Sequence, residues 1–415
     1  VILCYDFFHG GGKMILKKHH TKLLLVFAFL LGFLFTAFTA DQWKGKIEKE
    51  DGMTVIRNPK EPLYGELVLD LEQDLGIGRE DDENYAFYKY ITCALDSQEN
   101  IYVLDFDQCR IQQYDREGKY VKTIGRKGQG PGEMENPSRI FIDPQDNIYV
   151  KQARQFKVFR TDGGFVKSIA LRSSISDFFI TRQGIFFALF FQIDEKTRAN
   201  AVAEYDAEGN LVKTLASYPD EGFMATRKAG ESMVTFGFSH EYNNRIDFCP
   251  VGPESFCYGY SWEYKIFVAD AKGNVKFIIK KDDNPQPISG KEKGAIIDRH
   301  AKSTMVTSGQ VSRGEIERGL FFPKHKPFFN QLLADDKERI YVKRLTSSAL
   351  DKEPPKEYTF DVFSREGRCL YRIKMPFIPR IIRNGHLYQS KMDEEAGLTK
   401  ILRYKIRNWT QLKEK

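Results

Sequence analysis

The chain has 415 residues, 41% of them hydrophobic, 29% charged and 13% aromatic. That is enough to bury a sizeable core and too apolar for a disordered protein. Its 63 Lys+Arg against 57 Asp+Glu leave +6, part of it in the first forty residues, so the remainder is close to balanced and offers no basic footprint for nucleic acid.

Residues 1–13 precede Met14, and the run Gly10-Gly11-Gly12-Lys13 would be encoded by purine-rich codons of the kind found before a bacterial start codon. These residues are expected to be an upstream extension, with translation starting at Met14. Lys17, Lys18 and Lys22 then lead into the apolar run Leu23–Phe38, closed by Thr39 and Ala40. This tripartite order predicts a signal peptide over 14–40. The run falls short of the ~20 residues of a membrane span. A retained signal anchor is the alternative, because a cut after Ala40 places Phe38 where a small residue is preferred. Residues 41–62 read as a linker.

From residue 63 to the end the sequence repeats. Ile111-Gln-Gln-Tyr114-Asp-Arg-Glu-Gly118 recurs at Phe156–Gly163, Val202–Gly209 and Phe360–Gly367. Weaker copies stand at Ile266–Gly273, which lacks the aromatic, and at Ile401–Asn408, where Asn replaces Gly. Each copy reads as a strand entering a tight reversal. Upstream of three copies lies a strand, acidic turn, strand unit: Asp96–Val103, Asp143–Val150 and Asp335–Val342. Four strands in a repeat of about 45 residues make a propeller blade, and six copies predict an all-β, six-bladed β-propeller over 63–415. An open ring would leave unpaired edges. Glu66–Leu71 with Ile77-Gly78-Arg79 is in register with an outermost strand whose inner strands lie near Arg380–Arg407, so the two termini are expected to share the closing blade. Trp409–Leu412 competes for that outermost place.

The run from Ile124-Gly-Arg-Lys-Gly-Gln-Gly-Pro-Gly-Glu133 through Asn136–Asp143 to Asn147-Ile-Tyr-Val150 resembles the NHL-repeat six-bladed propellers, and is most similar to exported bacterial members. The resemblance is specific over Glu66–Ala170. It implies the fold and little about chemistry. Such proteins often carry Asp after the Ile-Tyr-Val strand; Asp105 matches, but Lys151 and Lys343 depart, so no ligand-binding acid carries over.

With strands lettered A to D outward from the axis, the long connections fall on one face. Gly125–Pro137, Ser217–Arg245 and Lys281–Lys326 are D–A crossings, and Phe191–Asn200 and Leu345–Glu357 are B–C loops. Long loops on a rigid scaffold favour binding. The insertion at 281–326, between blades 4 and 5, carries capping boxes at Ser289/Glu292 and Ser312/Glu315, which predict two short helices and a flap partly covering the axial opening. The glycine-rich crossing after Ile124 leads into a strand rather than a helix, so it reads as a turn and not a phosphate loop.

Candidate ligand contacts at the loop-rich mouth are Arg79, Asp105, Arg126, Lys127, His240, Arg245, His325 and Arg344. Outside the export region only His240, His300, His325 and His386 are histidines, with no pattern that joins them into a zinc site. No nucleophile elbow or acid pair stands out, so no catalytic, metal or cofactor residue is assigned. The sequence is thus expected to encode an exported, periplasmic or extracellular, monomeric scaffold that binds a peptide, glycan or protein partner at its loop-rich axial face. Membrane contact is expected only through 14–40. The alternative, drawn from the lactonases and amidating lyases among six-bladed propellers, is a metal-dependent hydrolase or lyase using the same mouth. Cys249 and Cys257 flank a turn centred on Pro253 and are expected to face one another as a disulfide.

Overall fold

The computed structural model describes residues 43–193, 198–229, 232–303 and 311–414. The upstream extension and the export segment, 1–40, lie outside the described residues. Among those described, no helix is long and apolar enough to cross a membrane.

Six antiparallel sheets form the blades. Blade I runs through Ile91–Leu95, Ile101–Asp105, Arg110–Tyr114 and Tyr120–Ile124. Blade II begins at Pro137–Ile142, blade III at Ser174–Ile180, blade IV at Ile246–Pro250 and blade V at Phe329–Ala334, each followed by three more strands of its own. Blade VI takes Ile381–Arg383, His386–Asp393 and Leu398–Ile406 from the C-terminus and its outermost strand from the N-terminus. All six copies of the sequence motif are third strands. Their apolar and aromatic positions, such as Ile111, Tyr114, Phe156 and Phe159, are fully buried, because both faces of a blade pack against its neighbours.

The turns explain the rest of the motif. Asp96 Oδ1 accepts from the Gln98 and Asn100 amides, and Asp143, Asp206, Asp270 and Asp335 repeat this pattern in their own turns. These five aspartates are therefore turn formers. Gly209 has φ +87° and lies against the Ala170 carbonyl of the preceding blade, where a Cβ would stand 2.2 Å from the oxygen, so only glycine fits. Four residues after the turn glycine, Lys122, Lys167 and Lys213 reach carbonyls in the third-to-fourth-strand turn of the next blade.

Within the linker expected at 41–62, residues 46–58 form strands. Strands β1 (Lys46–Glu50) and β2 (Met53–Asn58) form a hairpin, and β2 adds in parallel to the outer strand of blade IV. Next, β3 (Glu66–Val68) adds in parallel to the outer strand of blade V. Then β4 (Leu71–Ile77) completes blade VI by antiparallel pairing with Leu398–Ile406. The N-terminal segment is thus a strap that crosses the rims of three blades in succession. Asn58 pins it: buried between blades IV and V, its amide donates to Gly367 O at 2.8 Å and accepts from the Cys369 amide at 2.7 Å. Trp409–Gln411, the competing outermost strand, is a 3-10 turn; Trp409 lies over the Arg339 guanidinium and Leu412 is buried.

Two expected loops are ordered strands. Phe191–Asn200 contains the ends of a long hairpin, Phe186–Ile193 and Arg198–Tyr205. Within Ser217–Arg245 lies a second hairpin, Phe223–Ala229 with Ser232–Phe238. In the insertion, helices α1 (Gly290–Ala301) and α2 (Arg313–Gly319) start at Ser289 and Ser312, each with its complete capping box. Phe238, Tyr242, Ile296, Val311, Ile316 and Leu320 join in a satellite core, so hairpin and helices form one cap. No described residue of the cap hairpin or its helices lines the axial channel.

Candidate functional site

The six inner strands surround an axial channel of about 620 Å³. A strand packed on both faces should be apolar, yet in every blade a polar residue stands four positions before the first turn residue, within the inner strand in blades I to V and directly before it in blade VI. These are Thr92, Arg139, Asp177, Asp247, Gln331 and Arg380, in blades I to VI, and all six line the channel. Their neighbours Cys93, Phe178, Phe248 and Leu332 are buried in the core between blades. In blades II, III and V a β-bulge immediately precedes the ring residue, a device that re-aims a side chain. The bulged residues are Ser138, Ser176 and Asn330. Ser138 and Ser176 tie their hydroxyls to carbonyls of the second strand, whereas the buried Asn330 Oδ1 has no hydrogen-bond partner. The ring lies near the start of each inner strand, the end reached by the long crossings.

The channel is cationic. Arg139, Arg245, Lys343, Arg380 and Arg383 face two acids, Asp177 and Asp247. Arg139 stands 3.5 Å from Asp177, while Arg245, Arg380 and Arg383 have no carboxylate within ion-pair distance among the described residues. Burial pushes Asp247 up to about 7, with the Asp177 charge beside it adding to the rise and a hydrogen bond from the Leu332 amide opposing it. Burial also raises Asp177, partly offset by Arg139 and Arg380. Lys343, the strand partner of Gln331, is lowered to about 8 by burial and by Arg245.

A second cavity, about 410 Å³, opens between blade III and the cap. Asn200, Asp220, Gly222, Ser239, His240, Glu241, Asn243, Asn244 and Arg245 line it, so Arg245 belongs to both cavities.

The family model for a domain of unknown function, DUF4934, matches residues 94–306, just over half of the chain. The chain belongs to the DUF4934 family. That match begins in the inner strand of blade I and reaches beyond α1, so the DUF4934 segment includes three of the six ring residues, Arg139, Asp177 and Asp247, and part of the cap. No curated protein matches the sequence. Among solved structures, the chain is similar to a Bacteroides fragilis protein designated as exported, at 12% identity and a TM-score of 0.48, over 85% of this chain and 100% of that one. It is also similar to a DUF4221 family member from Bacteroides vulgatus, at 13% identity and 0.45, over 81% and 97%. A gluconolactonase from Xanthomonas campestris is similar at 11% identity and 0.34, over 87% and 94%.

Of the eight candidate contacts read from the sequence, Arg245 alone lines the axial channel, and His240 joins it in the second cavity. Arg79 stacks on Tyr85 and pairs with Asp81 and Asp82. Buried Asp105 holds Arg110 and accepts from the Asp107 and Gln108 amides, a turn role. Arg126 pairs with Glu133 and Lys127 is exposed on the same crossing. His240 Nδ1 accepts from the Tyr242 amide, which leaves Nε2–H to donate to Phe321 O. His325 stacks on Trp262, and Arg344 pairs with Asp283 and Asp361. His300 packs against Phe238 and His386 bonds to Asn384 O, so the histidines do not converge. No cluster of three metal-binding side chains occurs among the described residues.

Cys249 and Cys257 are direct cross-strand partners. Both thiols are buried and free in the structure. The hydrogen bond to Cys257, followed by burial, raises Cys249 and keeps it protonated. In protein matured under oxidising conditions a 249–257 link is expected from mass mapping of non-reduced peptides. Alkylation of both thiols in unfolded, unreduced protein would exclude it.

Proposed function

We propose that the protein is an exported propeller that binds a peptide, glycan or protein segment at the loop-rich mouth of its axial channel, and that the bound group is anionic. Export rests on the basic, apolar and small-residue order of 14–40. The binding reading rests chiefly on one observation: a polar side chain at the same distance from the first turn in every blade, on a channel wall where Arg245, Arg380 and Arg383 lack carboxylate partners among the described residues. Elsewhere in the chain buried or half-buried arginines such as Arg110, Arg339, Arg344, Arg372 and Arg403 are ion-paired. Unpaired guanidinium groups inside a concave wall are poised for carboxylate, sulfate or phosphate, which they meet with paired N–H donors.

The test is a screen of the full chain against arrays of acidic and neutral peptides and glycans, followed by calorimetry on the hits. The double variant Arg139→Gln/Arg380→Gln is expected to weaken an acidic hit at least tenfold, and Lys122→Gln on the outer rim to leave it unchanged. Equal binding by both variants would remove the channel from the reading.

A further inference from the structure

The second cavity narrows the class of ligand, given the anion-binding reading of the channel. Apart from Arg245, which it shares with the channel, its charged groups are already satisfied. Asp220 pairs with Arg198 at 3.3 Å and Glu241 with Arg299 at 2.8 Å. Both ring nitrogens of His240 are engaged, and burial lowers its pKa, which keeps it neutral. Asn243 donates to the Glu221 and Phe321 carbonyls. What remains unused is hydrogen-bonding capacity without charge. Asn244 is 4% exposed, its amide nitrogen is held by Glu221, and its Oδ1 is buried without a partner. The Asn200 amide and the Ser239 hydroxyl make no side-chain hydrogen bond among the described residues.

The lining contains no apolar side chain. A hydrophobic peptide side chain would therefore lose water there without gaining contacts, and a charged one would find Arg245 alone unpaired among the described charged groups of the wall. A buried acceptor such as Asn244 Oδ1 calls for a donor from water or ligand. Hydroxyl groups, each donor and acceptor at once, match an array of free acceptors and donors. Arg245, which has no ion-pair or hydrogen-bond partner for its guanidinium, stands in both walls and joins this neutral polar cavity to the cationic channel.

We infer that the two cavities form one extended site for an acidic oligosaccharide, with an anionic sugar at Arg139, Arg380 and Arg245 and a neighbouring sugar's hydroxyls at Asn200, Ser239 and Asn244. The anion can be a carboxylate or a sulfate. The experiment titrates the full chain with trigalacturonate, a chondroitin sulfate tetrasaccharide, cellotriose and tri-aspartate. One or both acidic saccharides should bind, cellotriose should bind at least tenfold more weakly, and tri-aspartate should not match the better saccharide. The preferred acidic saccharide reports which anion is taken. Asn200→Ala and Ser239→Ala, both on the cavity wall away from the blade core, should each weaken that saccharide threefold or more, with unchanged circular dichroism and melting temperature. Tri-aspartate binding as tightly as the saccharides, with no response to these two variants, would overturn the saccharide assignment and leave the anionic channel standing. Binding by none of the acidic probes would overturn both.

Discussion

Asp361→Ala is expected to destabilise the protein by about 3–5 kcal/mol, the range for removing one partner from a buried charge network. Asp361 is fully buried. Its carboxylate accepts from Arg344 Nη1 at 2.9 Å, Arg372 Nε at 3.1 Å and the Tyr264 hydroxyl at 2.8 Å, with Lys281 Nζ at 3.7 Å. Deleting it strands cations with little access to water, since Lys281 is also fully buried. The network reaches the strap as well: Lys281 Nζ and Arg372 Nη2 both donate to Lys60 O. Loss of Asp361 should therefore loosen the N-terminal strands together with blades IV and V. Urea unfolding supplies the free energy, and hydrogen exchange should show early opening at 46–68. A loss below 1 kcal/mol would mean that the cations find water or other partners at little cost.

Asp247→Asn should stabilise the protein, and by more at alkaline than at acid pH. In the unfolded chain an aspartate titrates near pH 4; in the fold burial raises Asp247 to about 7. Below pH 4 both states hold the proton and the group exerts no penalty. Between pH 4 and 7 the unfolded chain ionises while the folded one keeps its proton, so stability falls as pH rises. Above 7 the penalty levels off, at roughly 4 kcal/mol as an upper bound. Asn retains an acceptor for the Leu332 amide and lacks the penalty. The charge of Asp177, on the neighbouring blade, adds to the rise. Urea unfolding at pH 5 and pH 8 should show the advantage of Asp247→Asn growing by about 2 kcal/mol. Parallel behaviour at the two pH values would place the titration elsewhere.

The blades were legible because their motif residues do the same work six times. Tyr114, Phe159, Tyr205 and Phe363 fill equivalent interblade positions, and the glycines that follow occupy equivalent left-handed turns. The capping boxes at Ser289 and Ser312 were legible because they are local, with every partner within three residues. The ring was hidden for the opposite reason. Thr92, Arg139, Asp177, Asp247, Gln331 and Arg380 share a position but not a chemistry, so a search for similarity discards them as variable. Counting back four residues from each first turn residue would have found them. The closing strand β4 was legible because it keeps the blade register, whereas the docking of β1 to β3 was hidden because it is non-local: Asn58 meets Gly367, and nothing in residues 41–62 repeats a blade. The polar residues chosen from the loops were mostly committed to loop structure, as Asp105 and Arg126 show.

The strap also dictates an order of events during synthesis. A ribosome delivers β1 to β4 first, yet their partners are Ile278–Lys281, Arg372–Lys374 and Ile401–Ile406, which emerge some two to three hundred residues later. Blades I to III need only their own neighbours and can assemble as they appear, while the β1–β2 hairpin waits for the outer strand of blade IV, and β3 and β4 stay unpaired until nearly the whole polypeptide exists. Joining them closes a very long loop, and long-range pairing of this kind is slow. The ring therefore cannot close before its last strands are made.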